Sequence, residues 1–442
     1  MMAITMKYKC QKLVLPCFFF LVNFSLFLEK GTAQIVPDST LPVNSTVLFQ
    51  GNTNFIEGGT RAGGNLFHSF QEFSVPTGGE AFFNNPLYIQ NIFSRVTGRS
   101  ISNIDGLIKA NGVANLFLLN PNGIIFGPNA RLNIGGSFLA STANSINFAD
   151  GTHFSAKTPQ STPLLTVSVP VGLQYGGTAG SIVNQARETD SDRESSGLQV
   201  QPGNTLALVG GNVNLDGGIL IAPGGRIELG GIAGEGIIGL NIDGNSLSLS
   251  FPENVERSDV SFSNGAFADV VSGGNGSIAI NVRNLDMASE SSLIAGIGKE
   301  LGFDGSKAGN IEVNATGAIT LTNSYIRNNI SGNATGIGGD INLKASSLSL
   351  TNAKLDAGTF GNGNAGNIRV QVDGAASLNN SKIYSDVAVK DAVGNGGTIE
   401  IKTGSLTLIN GAQIITGTDG EGDAGNITVE AQEIAIDRKS VV

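Results

Sequence analysis

Residues 309–355 read GNIEVNATGAITLTNSYIRNNISGNATGIGGDINLKASSLSLTNAKL. Apolar residues fall two apart: Ile311 and Val313, then Ile319 and Leu321, with Ile326 opening a third run. The next segment repeats this with Ile341/Leu343, Leu348/Leu350 and Leu355. Successive side chains of an extended chain point to opposite faces, so each pair marks one face of a short strand. Strand starts lie seven or eight residues apart, too close for an intervening helix. Each segment opens on a Gly-x-Ile step. The step recurs with its Ile at 278, 311, 341, 368, 399 and 427, at spacings of 33, 30, 27, 31 and 28. Three strands per repeat without a helix predict one coil of a parallel β-helix, each strand pairing with its equivalents in the coils on either side. A leucine-rich repeat would carry one strand per repeat, and a propeller blade would need four strands in about 40 residues or more.

One corner of the repeat is nearly constant. Asn323, Asn352, Asn380 and Asn410 each follow the second strand. Asn accepts left-handed backbone better than most residues, which suits a tight bend, and stacked amides can bond along the stack. These four are expected to be a structural ladder. Residues 198–250 read as an earlier version of the same coils, with apolar runs at 206–209, 213–215, 219–221 and 226–229. Before them, residues 175–197 are expected to be a polar linker or loop, because ARETDSDRESSG at 186–197 is dense in charge.

Composition agrees with a chain that turns often. Gly is 62 of 442 residues, about twice the usual ~7%, and there is no Trp. At 40% hydrophobic, the chain has enough apolar surface to fold over most of its length. Residues 1–33 read as a signal peptide: Lys7, Lys9 and Lys12, an apolar run from Leu13 to Leu28, and a small-residue cleavage site at Gly31-Thr32-Ala33. Both cysteines, Cys10 and Cys17, fall inside it, so the mature chain would hold no disulfide. Beyond it stand 22 Lys and Arg against 35 Asp and Glu, a net charge of −13. That excess of negative charge argues against nucleic acid as a partner.

Residues 115–150 join an apolar strand, NLFLL, to an Asn-Pro-Asn-Gly turn, a second apolar strand and a Gly-Gly-Ser-Phe step. Upstream stand GNLFHSF at 64–70, IFSRVTG at 92–98 and IDGLI at 104–108. In order and spacing this run resembles the haemagglutination-activity domain of filamentous-haemagglutinin-like exoproteins, the passengers of two-partner secretion, in the form found in the cyanobacterial branch. The resemblance covers 34–174. It implies an all-β fold, a right-handed parallel β-helix with an N-terminal capping secretion module at 34–174 and coils from 198 to 442.

The family's secretion motif maps onto Asn120, Pro121, Asn122, Gly123 and Ile124. Taken on their residues alone, these five suit a tight turn: Pro121 presets φ, Asn122 can take a left-handed second position, and Gly123 suits the exit. A second family motif, Asn-Pro-Asn-Leu, has no clean counterpart; Asn84-Asn85-Pro86-Leu87 differs in pattern, and no transporter contact is carried onto it.

Catalytic chemistry finds little footing. The only histidines, His68 and His153, lie far apart, and His68 sits in an aromatic strand that favours packing. No catalytic residue, metal ligand or cofactor is expected. Residues 417–425, GTDGEGDAG, approach the glycine-rich calcium nonapeptide without matching it and would at most hold calcium weakly. The resemblance implies a secreted protein, exported through the periplasm and a cognate outer-membrane barrel transporter to the cell surface or medium, acting there as an adhesin towards a cell-surface or carbohydrate receptor. The rival readings are a carbohydrate-active β-helix enzyme and the stalk of a longer adhesin or toxin. The last residues, 437–442, stop midway through a coil, as in a chain truncated at its C-terminus.

Overall fold

The computed structural model describes residues 34–159, 166–187, 197–244 and 246–442. The expected signal peptide, with both cysteines, lies outside these, as do residues 188–196 of the expected polar loop. Among the described residues every regular element is a strand, and no helix is long and apolar enough to cross a membrane.

The strands wind into a right-handed parallel β-helix with three faces. In the coil predicted from residue 311, Ile311–Ala315 lies on the first face, Ala318–Thr322 on the second and Tyr325–Ile330 on the third. Each pairs in parallel with its equivalent in the next coil: Ile341–Ala345, Ser347–Thr351 and Lys354–Asp356. The Ile residues of the Gly-x-Ile step form one column, from Ile278 through Ile311, Ile341, Ile368 and Ile399 to Ile427. That column runs back without a break through Ile227, Leu206, Phe138, Leu116 and Ile92 to Leu66. A single apolar core therefore extends from the first coils to Ile414. Burying one such aliphatic side chain contributes about 1.5–3 kcal/mol, so stacking drives the fold coil by coil.

The first coil is closed by antiparallel pieces. Ile35–Pro37 pairs with Asn65–Phe73, and the hairpin Ser45–Gln50/Thr53–Gly58 continues the third face. Within the stretch read as polar linker or loop, Ile182–Asn184 forms a strand of the second face between Ile124–Phe126 and Val213–Asp216.

A second sheet lies outside the helix. His153–Ser155, Ser145–Phe148, Pro170–Tyr175, Gly236–Asp243 and Ser246–Ser250 pair antiparallel in that order. Residues 236–250, read above with the coils, thus leave the helix as a hairpin. This sheet packs on the outer side of the first face and creates a second core containing Phe67, Phe93, Phe117, Leu139, Phe148, Phe154 and Tyr175.

Candidate functional site

Residues 120–124 make the corner between the first and second faces. Gly123 N–H donates to the Asn120 carbonyl at 3.1 Å, closing a four-residue turn. Asn122 keeps a negative φ, and Gly123 takes the positive one, +130°. This corrects the expectation of a left-handed Asn122: Pro121 and Asn122 both stay at negative φ, and the unusual backbone falls on the one residue without a Cβ. A Cβ on Gly123 would meet the Ser181 carbonyl at 3.0 Å.

Asn120 is fully buried and acts as the hub. Its amide donates to the Ser100 carbonyl and to Ser102 Oγ, both at 3.0 Å. Its Oδ1 accepts from the Asn122 backbone N–H at 3.0 Å and from Asn122 Nδ2 at 2.9 Å. Asn122 Nδ2 also reaches the Gly98 carbonyl at 2.9 Å. The Pro121 carbonyl accepts from Gly180 N–H, and Ile124 N–H donates to the Ser181 carbonyl. Three consecutive coils are thus tied through one turn. Pro121, Gly123 and Ile124 are buried, and Asn122 is half-buried. Exposed at this corner are Arg99, Ser100 and Ile101 of the preceding coil.

Asn85, in the imperfect second motif, is also buried and inward-bonded, exchanging hydrogen bonds with the Asn111 backbone at 2.9 and 3.1 Å. The following Leu87 is 75% exposed.

The four corner asparagines Asn323, Asn352, Asn380 and Asn410 have φ of +50°, +50°, +48° and +58°. Asn352 donates to Asn323 at 3.0 Å and Asn380 to Asn352 at 2.8 Å. Asn410 bonds Asn379 instead, at 2.8 Å.

Several polar features have no counterpart in the sequence reading. Asn65, Asn91 and Asn115 form a second amide ladder, both links 3.0 Å, at the start of the first face. Arg95 is buried, with Nε on Ser69 Oγ, one terminal nitrogen on the Ser155 carbonyl, the other on Thr40 Oγ1, and its guanidinium 4.4 Å from the Phe154 ring centre. Burial draws it down to about 10, against the pull of nearby Asp38. Asp38 in turn accepts from Thr40, Ser69 and Thr97. One network thereby joins the N-terminal segment, the first two coils and the outer sheet. Tyr175 donates to the Val209 carbonyl at 2.8 Å and bonds Ser141 at 2.7 Å, pinning the outer sheet to the first face. A lone Arg in IFSRVTG carries no signal for this role, because its partners come from three distant segments.

His68 is buried between Phe70 and Phe83, with Nδ1 3.0 Å from Ser45 Oγ. Burial depresses it to about 3. Among the described residues no group of three or more His, Cys, Asp or Glu could hold a metal ion. Asp419, Glu421 and Asp423 of the expected weak calcium segment are exposed.

Fold and corner together define a class: a parallel β-helix with a closed first coil and an outer antiparallel sheet over its early coils. The chain belongs to the TPS secretion domain family, whose model matches residues 33–280. It is therefore a two-partner-secretion passenger, exported by way of a partner outer-membrane transporter. The match runs past residue 174 and takes in the whole outer sheet. The secretion domain of HMW1 from Haemophilus influenzae superposes with a TM-score of 0.60 at 18% identity, covering 92% of this chain and 97% of that one. The filamentous hemagglutinin secretion domain aligns with a TM-score of 0.37 at 14% identity, over 92% and 98% of the two chains. No curated protein matches the chain.

Proposed function

We propose that the corner Asn120–Ile124 is the element through which the partner transporter recognises this passenger after it reaches the periplasm, and that the coils then fold outside as a non-catalytic surface adhesin. The observation that supports this most is the position of Asn120: buried, and bonded at once to its own turn and to the coil before it. Such a turn is a point on which later coils can stack, because its own closing bond, Gly123 N–H to the Asn120 carbonyl, is local, and its remaining bonds tie it to the coil before and the coil after. Coil stacking outside the membrane is downhill and would draw the chain across. The exposed acids Asp419, Glu421 and Asp423 form no salt bridge with a basic group among the described residues, which supports the reading without catalysis.

The test is fractionation of cells with and without the partner transporter, probing for residues 34–442. Wild-type protein should reach the medium or surface only with the transporter. Deletion of residues 120–124 should hold it in the periplasm, with Asn410→Ala as a distant control that exports normally. Undiminished export of the deletion would sink the recognition role.

A further inference from the structure

We propose that the outer side of the third face, from Tyr325 to Tyr384, binds an anionic polysaccharide laid along the helix axis. This deepens the adhesin reading and rests on it.

The three faces differ outside the core. On the first face two of the exposed cations of the repeats are paired with acids, Arg369 with Asp340 at 2.9 Å and Glu400 at 3.3 Å and Lys402 with Glu430 at 3.4 Å. Lys344 stands alone among them without a salt bridge among the described residues. The second face shows hydroxyls, with Thr320, Ser349, Ser377 and Thr407 in one column. The third face is unlike either. Tyr325, Lys354 and Lys382 stand in one column and Arg327, Asp356 and Tyr384 in the next. Asp356 is buried, its carboxyl accepting from Asn329 Nδ2 at 2.8 Å and the Gly358 N–H at 3.0 Å, and only the cations are exposed. Arg327, Lys354 and Lys382 are exposed, and among the described residues none of them forms a salt bridge. On a chain of net charge −10 this is a local positive stripe, so its charge complement is an anion.

The rest of the surface decides which anion. A groove of about 360 Å³ borders the stripe, lined by Glu290, Asn323, Ser324, Tyr325, Asn352 and Lys354. Asn323 and Asn352 present exposed amides there beyond their ladder bond, Glu290 is the one acid of the lining, and Tyr325 offers a ring beside Arg327, whose guanidinium lies 5.8 Å from the ring centre. Lys354 and Lys382 occupy adjacent rungs about 4.8 Å apart, with Tyr325 on the rung before and Gln413 on the rung after, so a polymer with one charge per sugar unit meets a cation on two successive rungs and polar groups on either side. Linked weak contacts of this kind multiply affinity without any deep pocket. A nucleic acid would need a broader basic field than three cations on an acidic chain.

The test uses the secreted protein purified from the medium, with immobilised polygalacturonate and alginate as anionic probes and dextran as the neutral one. Wild type should bind the two polyanions and not dextran, less tightly as salt rises. The double substitution K354E/K382E should weaken binding at least tenfold and Tyr325→Ala severalfold. K344E/K402E, on the first face of the same repeats, should change it less than twofold. Failure of the wild type to bind either polyanion would overturn the proposal. So would equal losses in the two double variants, or duplex DNA binding as tight as the glycans. Export of K354E/K382E should be normal, so a failed export test of residues 120–124 and a failed binding test separate cleanly.

Discussion

One outward column of the first face passes through two environments. From Phe67 it runs through Phe93, Phe117, Leu139 and Ala207, all fully buried beneath the outer sheet. It then reaches Glu228, Ala279, Glu312, Asn342, Arg369 and Glu400. The backbone geometry is the same throughout; what changes is whether a second layer covers it. In the early coils both sides of the strand are dry, so Asn115–Leu119 is buried at every position. In the repeats one side meets water, and Ile368–Val372 alternates buried with exposed. Glu228 marks the border. It is buried at the edge of the outer sheet, held by Arg226 at 2.6 Å and the Leu249 N–H at 3.2 Å, and burial raises its pKa despite the guanidinium. A doubly covered strand gains twice from packing, but its side chains must fit two cores at once.

The sharpest way to break this contrast is to empty one position of the column in each region. Phe117 stacks on Phe93 with ring centres 4.8 Å apart, and Phe93 lies 5.2 Å from Phe67. Phe117→Ala should cost about 3–5 kcal/mol, as a large buried ring leaves a cavity between two layers. Glu400→Ala, on the same column, is exposed and should move stability by less than about 0.5 kcal/mol. Urea unfolding of residues 34–442, followed by hydrogen exchange resolved along the chain, measures both. Equal losses at the two positions would mean that the outer sheet adds no second core.

Acid should pull the two regions apart. His68, held near 3, stays neutral in the folded coils while the unfolded chain takes a proton below about 6.5. Its contribution is present above that value and is lost progressively as pH falls towards 3, at up to about 1.4 kcal/mol per pH unit. Asp38 and Asp105, both lowered by hydrogen bonds that outweigh their burial, add to the loss in the same region at still lower pH. In the repeats Asp356 and Asp386 go the other way. Burial raises both, and the charge of Asp356 raises Asp386 further. Their folded forms hold protons that the unfolded chain releases, so these coils gain relative stability as pH drops through the raised values. Hydrogen exchange at pH 7 and pH 4.5 should show protection falling in residues 65–119 and not in residues 341–409. His68→Gln should blunt the early-coil response; an unchanged profile would remove His68 as its source.

The two regions were also unequally legible. Alternating pairs such as Ile311/Val313 read directly as strands with one wet face, and their periodicity carried the coil count. The core columns followed from it. The outer sheet did not, because Ser145–Phe148, Pro170–Tyr175 and Gly236–Asp243 find one another across long sequence separations, and a run such as NLFLL shows burial without showing by what. The turn at 120–124 was visible in its residue types, yet the burial of Asn120 and the transfer of positive φ to Gly123 depend on Ser100, Ser102 and Ser181 in other coils. Local chemistry announces a turn; the packing around it sets the dihedral.

The smallest effect expected is at the corner ladder, which belongs to the repeats alone. Asn352 sits at φ +50° and bonds its neighbours on both sides, Asn323 and Asn380. Asn352→Ala puts a Cβ without an amide into left-handed backbone and breaks two exposed hydrogen bonds. The backbone accounts for about 1 kcal/mol, and exposed bonds add little because water replaces them. Asn352→Gly separates the two contributions, since Gly takes this φ freely but also lacks the amide. If backbone geometry dominates, the Gly variant should match wild type within about 0.5 kcal/mol while the Ala variant does not. If both variants lose the same amount, the amide ladder itself holds the corner, and the repeats owe their order to a polar stack as the early coils owe theirs to Phe67, Phe93 and Phe117.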